Sequence, residues 1–156
     1  MKLNKYAFLI CVATFLFNPQ QKVFGDTLRD SVEMKTIPAG EFLMGSKQDE
    51  GRDDERPQRK IYLDAYEIDT HEVSNKRYLK FIRETERKDP TNPYSEGLLS
   101  EQGEVGNLPV VQVTWYDAVD YCRWAGKHLP TEAQWEKAGR GNNGFIYPWG
   151  IKKPST

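Results

Sequence analysis

Few residues in this chain could do chemistry, and their spacing narrows the field further. Of the two histidines, His71 begins His71-Glu72, but Asn75 stands where the second histidine of a zinc-protease helix would be needed. His71 and His128 therefore read as surface or turn histidines. Glu132 and Glu136 lie one helical turn apart and Glu72 precedes another helical stretch. Paired carboxylates can serve as acid and base when their environments separate their pKa values. Nothing near these three does so, and they read as structural groups that bond backbone and arginine. Ser46 and Ser74 have turn and cap positions without the histidine and aspartate that would activate a hydroxyl. Gly40 and Gly45-Ser46 lack the lysine of a phosphate loop. Asp49, Glu50, Asp53, Asp54 and Glu55 crowd together without EF-hand spacing, as a solvated loop does.

The two cysteines, Cys11 and Cys122, lie in different settings. Lys2 and Lys5 precede an apolar run over 6–17, which polar residues follow up to Gly25, the layout of a secretory leader. The run is shorter than the ~20 residues a membrane span needs, and Phe8-Leu9-Ile10 is not the small-residue context of a lipid-modified cysteine. The expected organisation is a signal peptide over 1–25, a short linker over 26–33 and a domain over 34–156. The mature chain is then periplasmic or extracellular, with no membrane attachment after cleavage. Its loss of three lysines leaves 19 basic against 23 acidic residues, a net charge of −4. The charges are interspersed, so neither nucleic acid nor an anionic membrane is an expected partner. Cys122, left alone, is either a small buried hydrophobe or half of a disulfide whose partner lies in further C-terminal polypeptide.

The elements that must position these groups are legible in outline. Residues 34–46 read as strand, Pro-Ala-Gly turn, strand, an edge hairpin. Ile61 to Ile68 alternates as one half-buried strand. Ser74 caps a helix in which Val73 and Tyr78 form a hydrophobic staple and Tyr78, Phe81 and Ile82 share a face. Residues 83–108 read as a long loop. Thr114 and Asp117 form a capping box for a helix to Ala125, with Gly126 left-handed beyond it. Ala118, Cys122 and Ala125 share its close-packing face, flanked by Tyr121 and Trp124. A second box, Thr131 with Gln134, starts a helix through Ala138 that Gly139 ends. All four tryptophans fall between Val113 and Gly150, which marks that stretch as the expected core, and the hydrophilic composition, with a mean hydropathy of −0.74 and long stretches without apolar periodicity, predicts an incomplete core.

The string VTWYDAVDYCRWAGKHLPTEAQWEKAGRGNNGFIYPWG, over 113–150, resembles the formylglycine-generating enzyme family, the sulfatase-modifying factor domains. Ile37-Pro38-Ala39-Gly40 with Phe42 and Met44-Gly45-Ser46 matches the family's opening, and Glu72-Val73-Ser74-Asn75 its helix entry. The similarity runs from Lys35 to Gly150, and Glu72, Asn75, Trp115, Asp117, Trp124, Arg140 and Trp149 are its structural signature here. The resemblance implies an α+β, C-type-lectin-like fold with little regular secondary structure, of which this chain is the N-terminal half. It implies oxidation of a sulfatase cysteine to formylglycine, with oxygen and a copper ion held by two soft thiolates, calcium in a complete member, and a sulfatase or other exported protein as partner.

In the family the copper cysteines, an Arg-Gly-Gly-Ser segment and the calcium loops follow the Tyr-Pro-Trp-Gly turn. No catalytic, cofactor-binding or metal residue therefore carries over, and this half is expected to be inactive alone. The resemblance also favours a disulfide from Cys122 to the second half. Two positions depart from the pattern. His128 replaces an arginine, whose fixed fork an imidazole cannot reproduce, and Ile151 stands where an Asn, Asp or Glu is usual. The alternative is a non-catalytic ligand- or protein-binding module on the same fold. An iron-dependent sulfoxide synthase ranks last, since it needs a histidine-rich partner domain.

Overall fold

The computed structural model describes residues 9–14, 30, 32–49, 51–87, 103–142, 144–145, 147–150 and 152. The elements are β1 (Val12–Thr14), β2 (Met34–Ile37), β3 (Gly40–Met44), a 3-10 turn (Asp53–Glu55), β4 (Arg59–Leu63), β5 (Tyr66–Asp69), α1 (Asn75–Thr85), α2 (Gly103–Asn107), α3 (Trp115–Trp124) and α4 (Glu132–Arg140). Helix and sheet are mixed, as an α+β chain requires. Two units are built from alternating stretches, one from Met1–Lys35 with Glu67–Leu129 and the other from Thr36–Tyr66 with Pro130–Thr156.

Strand pairing departs from the local reading. β2 and β3 do not form a hairpin: β2 lies beside β5 in a sheet of order β1-β5-β2, and β3 pairs antiparallel with β4, from Gly40 opposite Leu63 to Met44 opposite Arg59. β3 buries Phe42 and Met44 and turns Glu41 outward, where Lys60 meets it at 3.2 Å. That partner is supplied by a distant stretch rather than by the neighbour across the turn. The expected single strand over 61–68 is likewise two strands, broken at Asp64-Ala65 and shared between the two sheets. Period-two alternation continues through the break and does not reveal it.

The helices begin where their caps stand. Ser74 Oγ accepts from the Arg77 amide at 3.4 Å, and the staple residues Val73 and Tyr78 are both buried. Thr114 and Asp117 satisfy each other's backbone at 3.2 and 3.0 Å, and α3 ends before Gly126 at φ 76°. α4 starts on the Thr131/Gln134 box but runs through Gly139 to Arg140, ending at Gly141 with φ 64°. A mid-helix glycine costs only about 1 kcal/mol. Arg140, bonded to Glu136 and to the Phe145 carbonyl, holds the extra turn. The expected loop over 83–108 also shrinks: α1 extends to Thr85 and α2 occupies Gly103–Asn107, while 88–102 lie outside the described residues.

The core of the first unit joins α1 and α3 through Tyr78, Phe81, Tyr121 and Trp124. The Phe81 ring lies 5.4 Å from Tyr78, 5.5 Å from Tyr121 and 5.5 Å from Trp124. Here the expectation from the tryptophan cluster is corrected. Trp124 is buried, but Trp115, Trp135 and Trp149 are 56%, 49% and 65% exposed. Indole is amphipathic, and proximity along the chain does not make it core. Ala118, Cys122 and Ala125 form the expected close-packed face, all buried.

Cys122 is both buried and disulfide-bonded, and its partner is Cys11. The expected partner in further C-terminal polypeptide is thereby corrected: it lies in the apolar run whose pattern is that of a leader. In the structure Leu9, Cys11 and Val12 are buried and β1 pairs beside β5, which brings Cys11 over α3. The remainder of 1–25 lies outside the described residues. The bond joins positions 111 apart, and in the chain-entropy picture a closure of that length removes roughly 4–5 kcal/mol of unfolded-state freedom.

Candidate functional site

The most concentrated chemistry in the first unit is a buried cluster of four charges. Asp69, at the end of β5, accepts from Lys127 Nζ at 2.7 Å through Oδ1 and from Arg77 Nη2 at 2.9 Å through Oδ2. Arg77, in the first turn of α1, also forks onto Asp30, with Nε to Oδ1 at 2.8 Å, and Tyr121 of α3 donates to Asp30 Oδ2 at 2.7 Å. The Asp69 and Lys127 side chains are wholly enclosed, and that of Asp30 is 5% exposed. Two acids against two bases leave the cluster neutral, which lets it exist away from water. Burial pushes the Asp30 carboxyl up, but the bonds from Arg77 and Tyr121 and the charges of Arg77 and Lys127 outweigh it and hold the group below its usual range. Burial and the Asp30 charge push the Tyr121 phenol well above its ordinary value.

This cluster has a pH signature. Because the Asp30 pKa is depressed on folding, its stabilising contribution is complete above the unfolded value near 3.8 and is lost as pH falls through the lower folded value. Urea midpoints measured from pH 6 down to pH 2 should therefore fall most steeply below about pH 4. In Asp30→Asn that acid step should be reduced. An unchanged step would show that other carboxylates set the acid limit.

The sequence reading missed these residues. Asp30 stood in the expected linker, yet it is anchored by two hydrogen-bond donors, Arg77 and Tyr121, with the Lys127 ammonium as an ion-pair partner at 3.7 Å. Lys127, between Gly126 and His128, carried no local signal of burial. Asp69 and Arg77 meet only because β5 and α1 pack.

In the second unit α4 is tied down by polar side chains. Lys137, almost fully enclosed, donates to the carbonyls of Pro38 at 2.8 Å and Gly40 at 2.9 Å, and burial pushes its ammonium down. Glu136 accepts from the Gly45 amide at 2.7 Å and from Arg140 at 2.6 Å, while Arg140 also donates to the Gly45 carbonyl at 2.9 Å. Glu136 thus has the structural role its type suggested. Gly45 needs to be glycine, since at φ 87° a Cβ would stand 2.5 Å from the Glu55 carbonyl. The Tyr66 phenol, donating to the Gln134 carbonyl at 2.6 Å, is pushed up to about 12 by burial.

The other predicted positions are placed as follows. Asn75 is buried and donates to the Val105 carbonyl at 2.8 Å, fixing α2 against α1. Asp117 caps α3, and Trp124 Nε1 donates to Glu84 at 3.1 Å. Burial raises the Glu72 carboxyl. His71 is exposed beside the Thr70 hydroxyl; His128 is half-buried, its backbone bridged to Val12, rather than a free turn residue. Trp115 stands edge-on to Tyr116 at 5.3 Å, both exposed, and Trp149 stacks on Tyr147 at 5.2 Å.

The copper and calcium of the resemblance can be tested against these side chains. Both cysteines are consumed in one buried disulfide, so neither offers a thiolate, and among the described residues no three His, Cys, Asp or Glu side chains converge. Among the described residues no thiolate is left for copper and no His, Cys, Asp and Glu side chains converge as a metal cluster, and no reaction step runs through a metal here.

The capped α3 and α4, the Asn75 helix entry and the Arg140 anchor define a scaffold of one class, and comparison with known proteins agrees. Residues 20–156 match the sulfatase-modifying factor enzyme 1-like domain, and the chain belongs to that family. It is similar to the mouse formylglycine-generating enzyme, 34% identical over 77% of this chain and 43% of that protein. It is similar to the bovine inactive C-alpha-formylglycine-generating enzyme 2, 32% identical over 78% of this chain and 54% of the relative. A formylglycine-generating enzyme of Thermomonospora curvata is 34% identical over 75% of this chain and 52% of its own. The chain spans about half the length of these curated relatives.

Proposed function

We propose that this chain supplies the scaffold portion of an exported sulfatase-modifying domain, on the C-type-lectin-like fold, whose complete form oxidises a sulfatase cysteine to formylglycine using copper. The 156 residues alone do not carry out that oxidation. The observation behind this is the Cys11–Cys122 bond, which leaves the chain without the thiolates that soft-metal chemistry requires. What these residues do is hold shape: the buried ions join β5, α1 and α3, and Glu136, Lys137 and Arg140 seat α4. Export is supported by the leader-like Lys2, Lys5 and apolar run, and by a disulfide of the kind that persists in oxidising compartments. A sulfatase is the proposed partner, and calcium is proposed for the complete protein.

The test first adds Cu(I) to the purified chain alone without oxygen, and then, in a separate assay, supplies a Cys-x-Pro-x-Arg peptide with oxygen. The expected result is no thiolate-to-copper absorption of the chain in the first and no formylglycine mass change of the peptide in the second. Stoichiometric copper or formylglycine product would overturn the proposal.

A non-catalytic binding module is the second reading, favoured by the exposed Trp115–Tyr116 pair, since rigid amphipathic rings make good contact surfaces. The bovine relative, named as inactive, fits such a use. Saturable binding of a ligand that Trp115→Ala abolishes, with no conversion, would select this reading.

A further inference from the structure

We infer that Cys11–Cys122 is a latch that keeps residues 9–14, the described part of the N-terminal apolar run, inside the domain, so that a backbone cut near Gly25 would not release them. Two independent observations meet on the same residues. By composition the segment is a leader, with Lys2 and Lys5 ahead of an apolar run. By position it is structural. The Leu9 carbonyl accepts from the Val73 amide at 2.7 Å, and the Cys11 carbonyl from the Asp69 amide at 3.1 Å. Val12 and His128 exchange both of their backbone bonds, at 2.7 and 2.8 Å.

β1 is a three-residue strand held by β5 on one side and by the single Val12–His128 bridge, too short to hold its place by pairing alone. The disulfide adds the missing constraint. Its position matters because Asp69, whose amide bonds the Cys11 carbonyl, is itself half of the enclosed Asp69–Lys127 ion pair, and His128, which pairs with Val12, follows Lys127 in the chain. With β1 gone, the edge of β5 would open and water would approach that pair. Residues 9–14 thus have two exclusive places, free within a leader or paired beside β5, and the redox state of two sulfurs selects between them.

Closing the latch is a two-electron oxidation. The thiols of Cys11 and Cys122 lose two protons and join, and the electrons reduce a protein or small-molecule disulfide to two thiols by exchange. A dithiol reverses the step.

The test uses the full chain, expressed with its N-terminus and recovered from the oxidising compartment, with intact mass read before and after reduction. The expected species is the whole chain two hydrogens lighter than its dithiol, or two peptides, cut near Gly25, that separate only on reduction. A chain beginning after Gly25 with Cys122 open to alkylation before any reductant would overturn the inference.

Amide exchange on the uncut oxidised chain gives the second readout. A dithiol, or the Cys11→Ser substitution, should speed exchange at Val12, Asp69, Val73 and His128 at least about tenfold and leave Ala118 and Ala125 in α3 unchanged. Equal rates before and after reduction would refute the latch, as would loss of protection throughout the domain, which would make the bond a general stabiliser.

Discussion

Asp69→Ala should lower the unfolding free energy by about 3–5 kcal/mol, the cost of leaving buried charges without their partner. Asp69 is the only carboxylate within hydrogen-bond reach of Lys127 Nζ among the described residues, at 2.7 Å, while Asp30 stands at 3.7 Å. Truncation would strand an enclosed ammonium and take one of the two acids from Arg77. The cost arises from the orphaned cation more than from the lost bond, which gives a sharper test. Combining Asp69→Leu with Lys127→Met removes both charges and fills the space, and should recover most of the loss. Urea midpoints at unchanged slope would report both. A loss for Asp69→Ala below about 1 kcal/mol would mean that water reaches Lys127 and that the cluster is not a buried one.

Phe81→Ala should cost about 3–5 kcal/mol, since it empties the centre of the ring cluster at which Tyr78, Tyr121 and Trp124 meet. The residue is 1% exposed and its neighbours are anchored on two helices, so the space cannot close by a single side-chain rotation. The control is Trp115→Ala, which removes a larger ring of which 56% is exposed and should change stability by no more than about 0.5 kcal/mol. Thermal or urea unfolding of both variants decides the matter. If Trp115→Ala were the more damaging, the signature tryptophans would be the core after all, and the assignment of the scaffold's weight to the α1–α3 rings would fail.

These two expectations show where reading the sequence stopped. Its chemistry was local wherever it succeeded. Ser74, Thr114 and Thr131 mark helix starts because a cap is a bond between residues three apart, and the string over 113–150 identifies the family because it preserves many such local bonds in a fixed order. The same reasoning ended α4 two residues early, at Ala138, since the support for its last residues comes from Arg140 reaching the Phe145 and Gly45 carbonyls.

What the amino-acid sequence by itself determined is therefore the helix caps, the small-residue face of α3, the structural use of Glu136 and the family. Only the tertiary structure decided that β3 pairs with β4, that a single tryptophan of the four is buried, that Asp30, Asp69, Arg77 and Lys127 neutralise one another, and that Cys11 is the partner of Cys122. The physical reason is range. A cap or a helical face is set by backbone geometry within a few residues, whereas strand partners, ion clusters and disulfides depend on which distant surfaces burial brings together, and neither propensity nor periodicity carries that information.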